Sequence, residues 1–232
     1  RLVVPTIIEP LRAEWEAVQS AVRDLKAKGQ DREALNRVRA FHRQLCGTRV
    51  LDPACGTGNF LYVSLELMKR LEGEVLEAIA DLGGQPDRYS DFPKEAGTHR
   101  VGRKLARGGG VFTVDPHQFY GLELNPRAVP IADLVLWLGF LKWQLRTGVA
   151  LHEPILDAYG TIRQQDAILA HDGERPALDE DGVPKHRWDG ITRKPHPITG
   201  EDVPDPSATV PIFDYLNPRR APWPEAEFII GN

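Results

Sequence analysis

An α/β fold with a mostly parallel sheet is what this sequence predicts, and three observations carry the prediction. An apolar strand signal at 49–51 runs straight into a glycine loop, "DPACGTGN", and from there into a long helix-like run. A second strand signal, "QFYGLEL" at 118–124, is again followed by a helical stretch, which opens at Pro126. A third, "YGTIRQQDAI", ends near Asp166. Strands alternating with helices favour crossover units, whose strands lie parallel.

The elements follow in order. Leu11, Trp15, Val18, Val22 and Leu25 recur at spacings of three and four, giving one apolar stripe along a helix. Gly29 and Asp31 supply a stop and a fresh N-cap, and Leu35, Val38 and Leu45 continue on a second helix, so a helical hairpin over 10–45 precedes the sheet. Val50 and Leu51 form the buried part of the first strand, and the helix after the loop runs from about Asn59 to Ala80, closing at "DLGG". Residues 83–117 are rich in Gly, Pro and charge, with "RGGG" at 107–110, and read as an excursion. The helix from Pro126 extends to about Arg146, where Gly148 ends it. Residues 170–226 lose periodicity and fill with Pro, Asp and Arg, which predicts hairpins or an ordered excursion rather than helix. "AEFIIGN" is a fourth strand. The division expected is a helical segment, 1–47, and an α/β domain, 48–232, that carries both excursions. Opening at Arg1 in mid-pattern and stopping on a strand, the chain reads as a fragment of a longer protein.

Composition narrows the function classes. The hydrophobic fraction of 41% in 232 residues suffices for a sizeable core. A net charge of −4 carries no overall basic character of the kind that advertises nucleic acid. The two cysteines, Cys46 and Cys55, are too few for a disulfide framework and fit a reducing, cytoplasmic setting of bacterial type. No apolar run reaches the roughly 20 residues of a membrane span; the longest, Val129 to Leu141, contains Asp133 and reads as a buried helix.

Ligands of open α/β sheets bind beyond the carboxyl ends of the strands. Asp52 to Phe60, Glu123, Asp166 and Gly231–Asn232 fall at such ends. The glycines at 56 and 58 lack the Lys–Ser/Thr pair of a nucleoside-triphosphate loop, and by themselves are equally served by tight strand-to-helix packing. Glu123 can accept both hydroxyls of a ribose, or be a solvated acid at a strand end. Asp166 repeats the arrangement, where an acid can accept from an adenine amino group. Together they describe a pocket for an adenosine with something attached and no grip on phosphate.

"LDPACGTGNFL", "FYGLELNPRAVPIADLVLW", "IRQQDAIL" and "FIIGN" resemble successive motifs of the adenine-specific, S-adenosylmethionine-dependent amino-methyltransferases of DNA. The cofactor loop precedes the "FIIGN" strand, as in their gamma class, and the run from Arg187 to Asn232 is similar to large type IIG and IIL restriction–modification methylases. The resemblance implies a Rossmann-like class I methyltransferase core, here incomplete. It places Asp52, Ala54, Gly56, Gly58 and Asn59 at the methionine end of the cofactor, Glu123 on the ribose and Asp166 on the adenine amino group, with Leu124 or Ile168 near the ring. Asn232 is implied as the catalytic residue that binds the target amino group. Double-stranded DNA with its target base flipped out is the implied substrate, within a restriction–modification or phage-defence system. The family's Pro-Pro-aromatic, which follows that Asn, lies outside these residues, so the piece alone is expected to be inactive.

Two other readings stay open: an amino-methyltransferase acting on RNA or on protein glutamine, and a module that binds cofactor or partner without catalysis. Cys55 invites comparison with thiol nucleophiles but reads as a small buried residue of the loop. His171, His186 and His196 lack metal-ligand spacing and read as surface loop, so no metal is expected. The basic residues of 185–194 have as many acids around them, which fits a solvated loop. No feature bears on oligomeric state.

Overall fold

The computed structural model describes residues 2–88, 111–147 and 160–231. They form two compact units: one holds the described residues of Arg1–Ala167 and Trp223–Asn232, the other Ile168–Pro222. The "RGGG" run, Gly148 and Asn232 lie outside the described residues.

The first unit begins with a π-helical stretch, Val4–Ile8, running directly into α1, Glu9–Ala27. A turn with Gly29 at φ +70° leads to α2, Asp31–Gly47. The expected cap moves by one residue. Gln30 occupies the cap position, its carbonyl accepting from Glu33 and Ala34, so Asp31 becomes the first helical residue. There its charge still favours the positive helix end. The hairpin closes on its apolar stripes: Leu11 and Trp15 of α1 meet Val38, Phe41 and Leu45 of α2, and Trp15 stacks on Phe41 with ring centroids 5.3 Å apart.

β1, Val50–Asp52, is buried throughout and passes through the loop 53–58 into α3, Asn59–Asp81. Gly83 at φ +71° ends that helix, as "DLGG" predicts. Before β2, Phe119–Glu123, a short 3₁₀ turn is held by a reciprocal capping box between Asp115 and Gln118. The Gln118 amide also donates to the carbonyls of Leu45 at 2.9 Å and Thr48 at 2.7 Å, tying the end of α2 to the start of β2. α4 spans Ala128–Thr147. Pro126 does not open it, because Asn125 forms a turn first: its side-chain oxygen accepts from Arg127 at 3.0 Å and its carbonyl from Ala128. β3 is confined to Ile162–Gln164, and a last strand, labelled β12 below, covers only Phe228–Ile229.

The sheet order is β12-β1-β2-β3, and every pairing is parallel. Val50 stands between Phe228 and Phe119, and Gly121 opposite Ile162. All four carboxyl ends therefore share one edge. Leu61, Leu65, Met68, Val75 and Ile79 of α3 are buried in one core shared with the sheet, α2 and α4, and burying each such side chain contributes about 1.5–3 kcal/mol. α4 is less buried than its sequence suggests. Ala128, Ala132 and Leu136 face inward, whereas Ile131, Leu134, Leu138 and Leu145 are exposed along its other side. By length and hydropathy it is apolar enough to cross a membrane, yet it packs on α3, with Gly139 against the Tyr62 ring.

The second unit is one nested antiparallel ribbon. β4 (Leu169–Ala170) pairs with β11 (Arg219–Arg220), β5 (Gly173–Pro176) with β10 (Phe213–Leu216), β6 (His186–Trp188) with β9 (Thr209–Pro211), and β7 (Arg193–Pro195) with β8 (Asp202–Pro204). Prolines and glycines keep each ladder short. Aspartates shape the turns: Asp179 accepts from the amides of Asp181 and Val183, and Asp189 from those of Ile191 and Thr192.

Candidate functional site

The glycine loop leaves β1 at Asp52, which is only 1% exposed. One Asp52 oxygen, Oδ1, accepts from the Ala54 amide at 3.0 Å; the other, Oδ2, is buried without a partner. The Cys55 amide donates to the Leu122 carbonyl at 3.0 Å, fastening the loop to β2. The two glycines serve different ends. Gly56 has φ +53°, and a Cβ there would meet nothing within 4 Å, so the backbone demands glycine while the space before it stays open. Gly58 has φ +82°, and a Cβ there would stand 3.2 Å from Ala132, so this glycine lets α3 and α4 approach. Ala54 and Asn59 are exposed, and Asn59 is the first residue of α3.

Glu123 meets this loop from the end of β2. Its Oε2 accepts from the Gly56 amide at 2.8 Å and its Oε1 from the Asn125 amide at 2.7 Å. The carboxylate holds the loop and keeps a further lone pair on each oxygen. Leu124, the next residue, is 66% exposed. The end of β3 lies alongside: the Gln165 amide donates to the Glu123 carbonyl at 3.0 Å, and half-buried Asp166 follows it. Ile168 belongs to the second unit. Gly231 closes the other side, where a Cβ would come within 3.4 Å of Asp52 Oδ1 and 3.5 Å of Pro53. Asp52, Ala54, Gly56, Gly58, Glu123 and the approach to Asp166 are thus gathered at one edge, with the end of β12 beside them; the neighbouring Asn232 lies outside the described residues.

This edge is negative and short of balancing charge. Burial pushes the Asp52 carboxyl up; the Ala54 amide opposes the shift and the nearby charge of Glu123 adds to it. The Cys55 thiol is pushed up to about 12, by burial first and then by Asp52 and Glu123. It stays protonated near neutrality, so Cys55 is a small buried residue and no nucleophile. Asp133 on α4 was not singled out by the sequence as a site residue. Its carboxyl is also pushed up by burial, and its Oδ1 is buried without a partner. A lone acid interrupting an apolar helix was the signal available.

A second polar cluster lies between α2, α3 and α4. Lys69 Nζ stands 2.5 Å from Glu72 Oε2, donates to Thr113 Oγ1 at 2.8 Å and the Val114 carbonyl at 3.0 Å, and sits 3.7 Å from the Trp143 ring centroid. Glu72 Oε1 accepts from the Val114 amide at 3.0 Å and lies 3.4 Å from His42 Nε2. Burial opposes the Glu72 charge, but Lys69 and His42 outweigh it and hold the carboxyl below its usual value. His42, Cys46 and Glu72 have ligand atoms within 4.8 Å of one another, a spacing that suits a metal. The chemistry argues otherwise: Lys69 already supplies the cation, and burial, then Glu72, drive the Cys46 thiol far from the thiolate a metal requires. The three ribbon histidines serve their own turns, His171 meeting the Gly173 carbonyl at 3.0 Å, His186 that of Pro184 at 2.9 Å, and His196 the Ile198 amide at 3.3 Å.

An open parallel sheet with a glycine turn at β1 and acids near the next strand ends is a Rossmann-like α/β domain, a fold whose ligands bind at the carboxyl edge. The family described as "MmeI, DNA-methyltransferase domain" matches residues 25–171, more than half of the chain, and the chain belongs to it. "DNA methyltransferase A" of Bacillus subtilis (strain 168) is 29% identical over 126 residues, which cover 52% of this chain and 12% of that protein. A solved structure of the type IIL restriction-modification enzyme MmeI in complex with DNA is 26% identical, with a TM-score of 0.46, covering 71% of this chain and 18% of that one. The chain thus spans a small part of either relative.

Proposed function

We propose that this domain binds S-adenosylmethionine at the carboxyl edge of its sheet and directs methyl transfer to the exocyclic amino group of adenine in double-stranded DNA. A restriction–modification or phage-defence protein is the setting that its family suggests. The observation that carries the reading is the meeting of Glu123 with the Gly56 amide at 2.8 Å, which brings a hydroxyl acceptor to the open side of a glycine loop. The residues fit the cofactor in further ways. Asp52 offers a buried, unpartnered carboxylate oxygen to a cationic group. The start of α3 has no side-chain cap, and its positive end suits the methionine carboxylate. Among the described residues no basic side chain hydrogen-bonds to the loop 53–58.

In this reading Asp52, Ala54, Gly56, Gly58 and Asn59 surround the methionine end, Glu123 holds the ribose hydroxyls, Leu124 flanks the adenine ring and Asp166 accepts from its amino group. The sulfonium supplies an activated methyl group, so the protein contributes position and charge. Asn232 follows Gly231 in the chain, and its amide oxygen would accept from the target amino group, favouring a pyramidal nitrogen. A paired base is out of reach, so it must first be flipped out of the duplex.

The test is labelled methyl transfer from S-adenosylmethionine to duplex oligonucleotides by the full-length protein, with the product nucleoside identified by mass spectrometry. The expected product is an adenine methylated on its amino nitrogen, and Asn232→Ala should lower the rate by about a hundredfold or more, the scale of losing a preorganised polar group at the reacting centre. Label at a cytosine carbon, or in RNA or protein alone, would overturn the assignment.

A further inference from the structure

The sheet edge just described holds more negative charge than its own residues balance, and the excess comes from three elements. Asp52 ends β1, Glu123 ends β2 and Asp133 sits in α4, next to the Ala132 that meets Gly58. The Cys55 thiol, at the base of the loop, feels all three carboxylates. No cation among the described residues contributes to the charge felt at Asp52, Cys55 or Asp133. Asp52 Oδ2 and Asp133 Oδ1 are buried and unpartnered. A buried carboxylate oxygen without a partner is destabilising, and here the deficit recurs in two side chains whose charges both act on Cys55.

We propose that this charge makes the pocket select the sulfonium form of the cofactor over its neutral thioether product, and that Asp133 is a residue that sets this selectivity. The proposal rests on the reading of the site as an S-adenosylmethionine pocket. Methyl transfer breaks the carbon–sulfur bond and leaves its electron pair on sulfur, so the spent cofactor carries one positive charge fewer. The new carbon–nitrogen bond uses the amino nitrogen's lone pair, and one amino proton passes to solvent. Three carboxylates that favour the charged form then favour release of the product. Among the described residues Asp133 makes no hydrogen bond to the loop, so it acts on the ligand through its charge.

Calorimetry on the full-length protein tests this with three ligands: S-adenosylmethionine, S-adenosylhomocysteine, and sinefungin, which has an amine-bearing carbon in place of the sulfonium. The wild type should bind the two cationic ligands more tightly than the thioether. Asp133→Asn should weaken both cationic ligands about tenfold and leave the thioether within about twofold. Asp133→Glu, which keeps the charge, should retain the preference. Equal losses for all three ligands, or no loss, overturn the role of Asp133. A wild type that binds none of the three overturns the cofactor reading instead. If Asp133→Asn fails to fold by circular dichroism, a wild-type salt series decides: cationic ligands weakening with salt while the thioether does not supports the selectivity, and parallel slopes overturn it.

Discussion

Two groups of buried charge lie in the same unit, and they are built on opposite plans. Around Glu72 every charge is answered: Lys69 neutralises it, and Thr113, the Val114 backbone and the Trp143 ring take up the rest of the ammonium. Around the glycine loop Asp52, Glu123 and Asp133 have, among the described residues, backbone amides or nothing, and no cation. A balanced network of this kind holds α2, α3 and the approach to β2 together. An unbalanced one costs stability and, under the proposed function, serves a cationic ligand. Buried charge alone therefore does not mark a site; the missing counter-charge does.

The largest effect should come from unbalancing the first group. Lys69→Met leaves Glu72 buried and unpaired, and should destabilise the protein by about 3–5 kcal/mol, read as the opening free energy of α3 amides in hydrogen exchange. Adding Glu72→Gln should recover part of that loss, since a neutral amide replaces the stranded charge. Full additivity of the two substitutions would break the comparison.

Next is Gly58→Ala, which should cost roughly 1–3 kcal/mol through its positive φ and the close Ala132 backbone, by the same measurement. Gly56→Ala shares the strain but meets open space, so it should cost less stability and act mainly on cofactor affinity.

The two groups should also respond to pH with opposite signs. Glu72 has its folded pKa lowered from 4.5, so its stabilisation is complete above that value and is lost as pH falls through the lowered one. Asp52 has its folded pKa raised from 3.8, so its contribution is complete below that value and is lost as pH rises through the raised one. Opening free energies followed from pH 3 to 8, on the order of a few units around these values, should therefore lose their acid-side fall in Glu72→Gln. In Asp52→Asn they should gain on the neutral side. The smallest effect is a null: a chelator, or added zinc, should leave the melting temperature unchanged, because Lys69 occupies the charge a metal would supply at His42, Cys46 and Glu72.

Much of the fold is legible wherever a local rule and the tertiary structure agree. The β1–loop–α3 run, the Gly83 stop and the strand holding Glu123 follow directly from apolar periodicity and glycine placement. The start of α4 is displaced because Asn125 forms a turn that Pro126 alone does not announce. The ribbon of 168–222 leaves only "hairpins" in the sequence, since strands of two to four residues are too short to show alternation. Lys69 and Glu72 are not legible as a buried pair because an i, i+3 pair usually lies on a solvated face. The clue was their position among Leu65, Met68, Leu71 and Val75 on the buried side of α3. At the site, the acids of the strand ends could be read from sequence, whereas the grip of Glu123 on Gly56 and the presence of Asp133 depend on contacts between distant segments.

Under the proposed function Glu123 joins loop and cofactor, and one binding measurement addresses that role. Calorimetric titration of the full-length protein with S-adenosylmethionine should show Glu123→Ala about ten- to a hundredfold weaker than wild type, the loss of a charged hydrogen-bond acceptor being worth on the order of 1.5–3 kcal/mol. Glu123→Gln, which keeps one acceptor, should lose less. Equal affinity in wild type and Glu123→Ala would contradict the account.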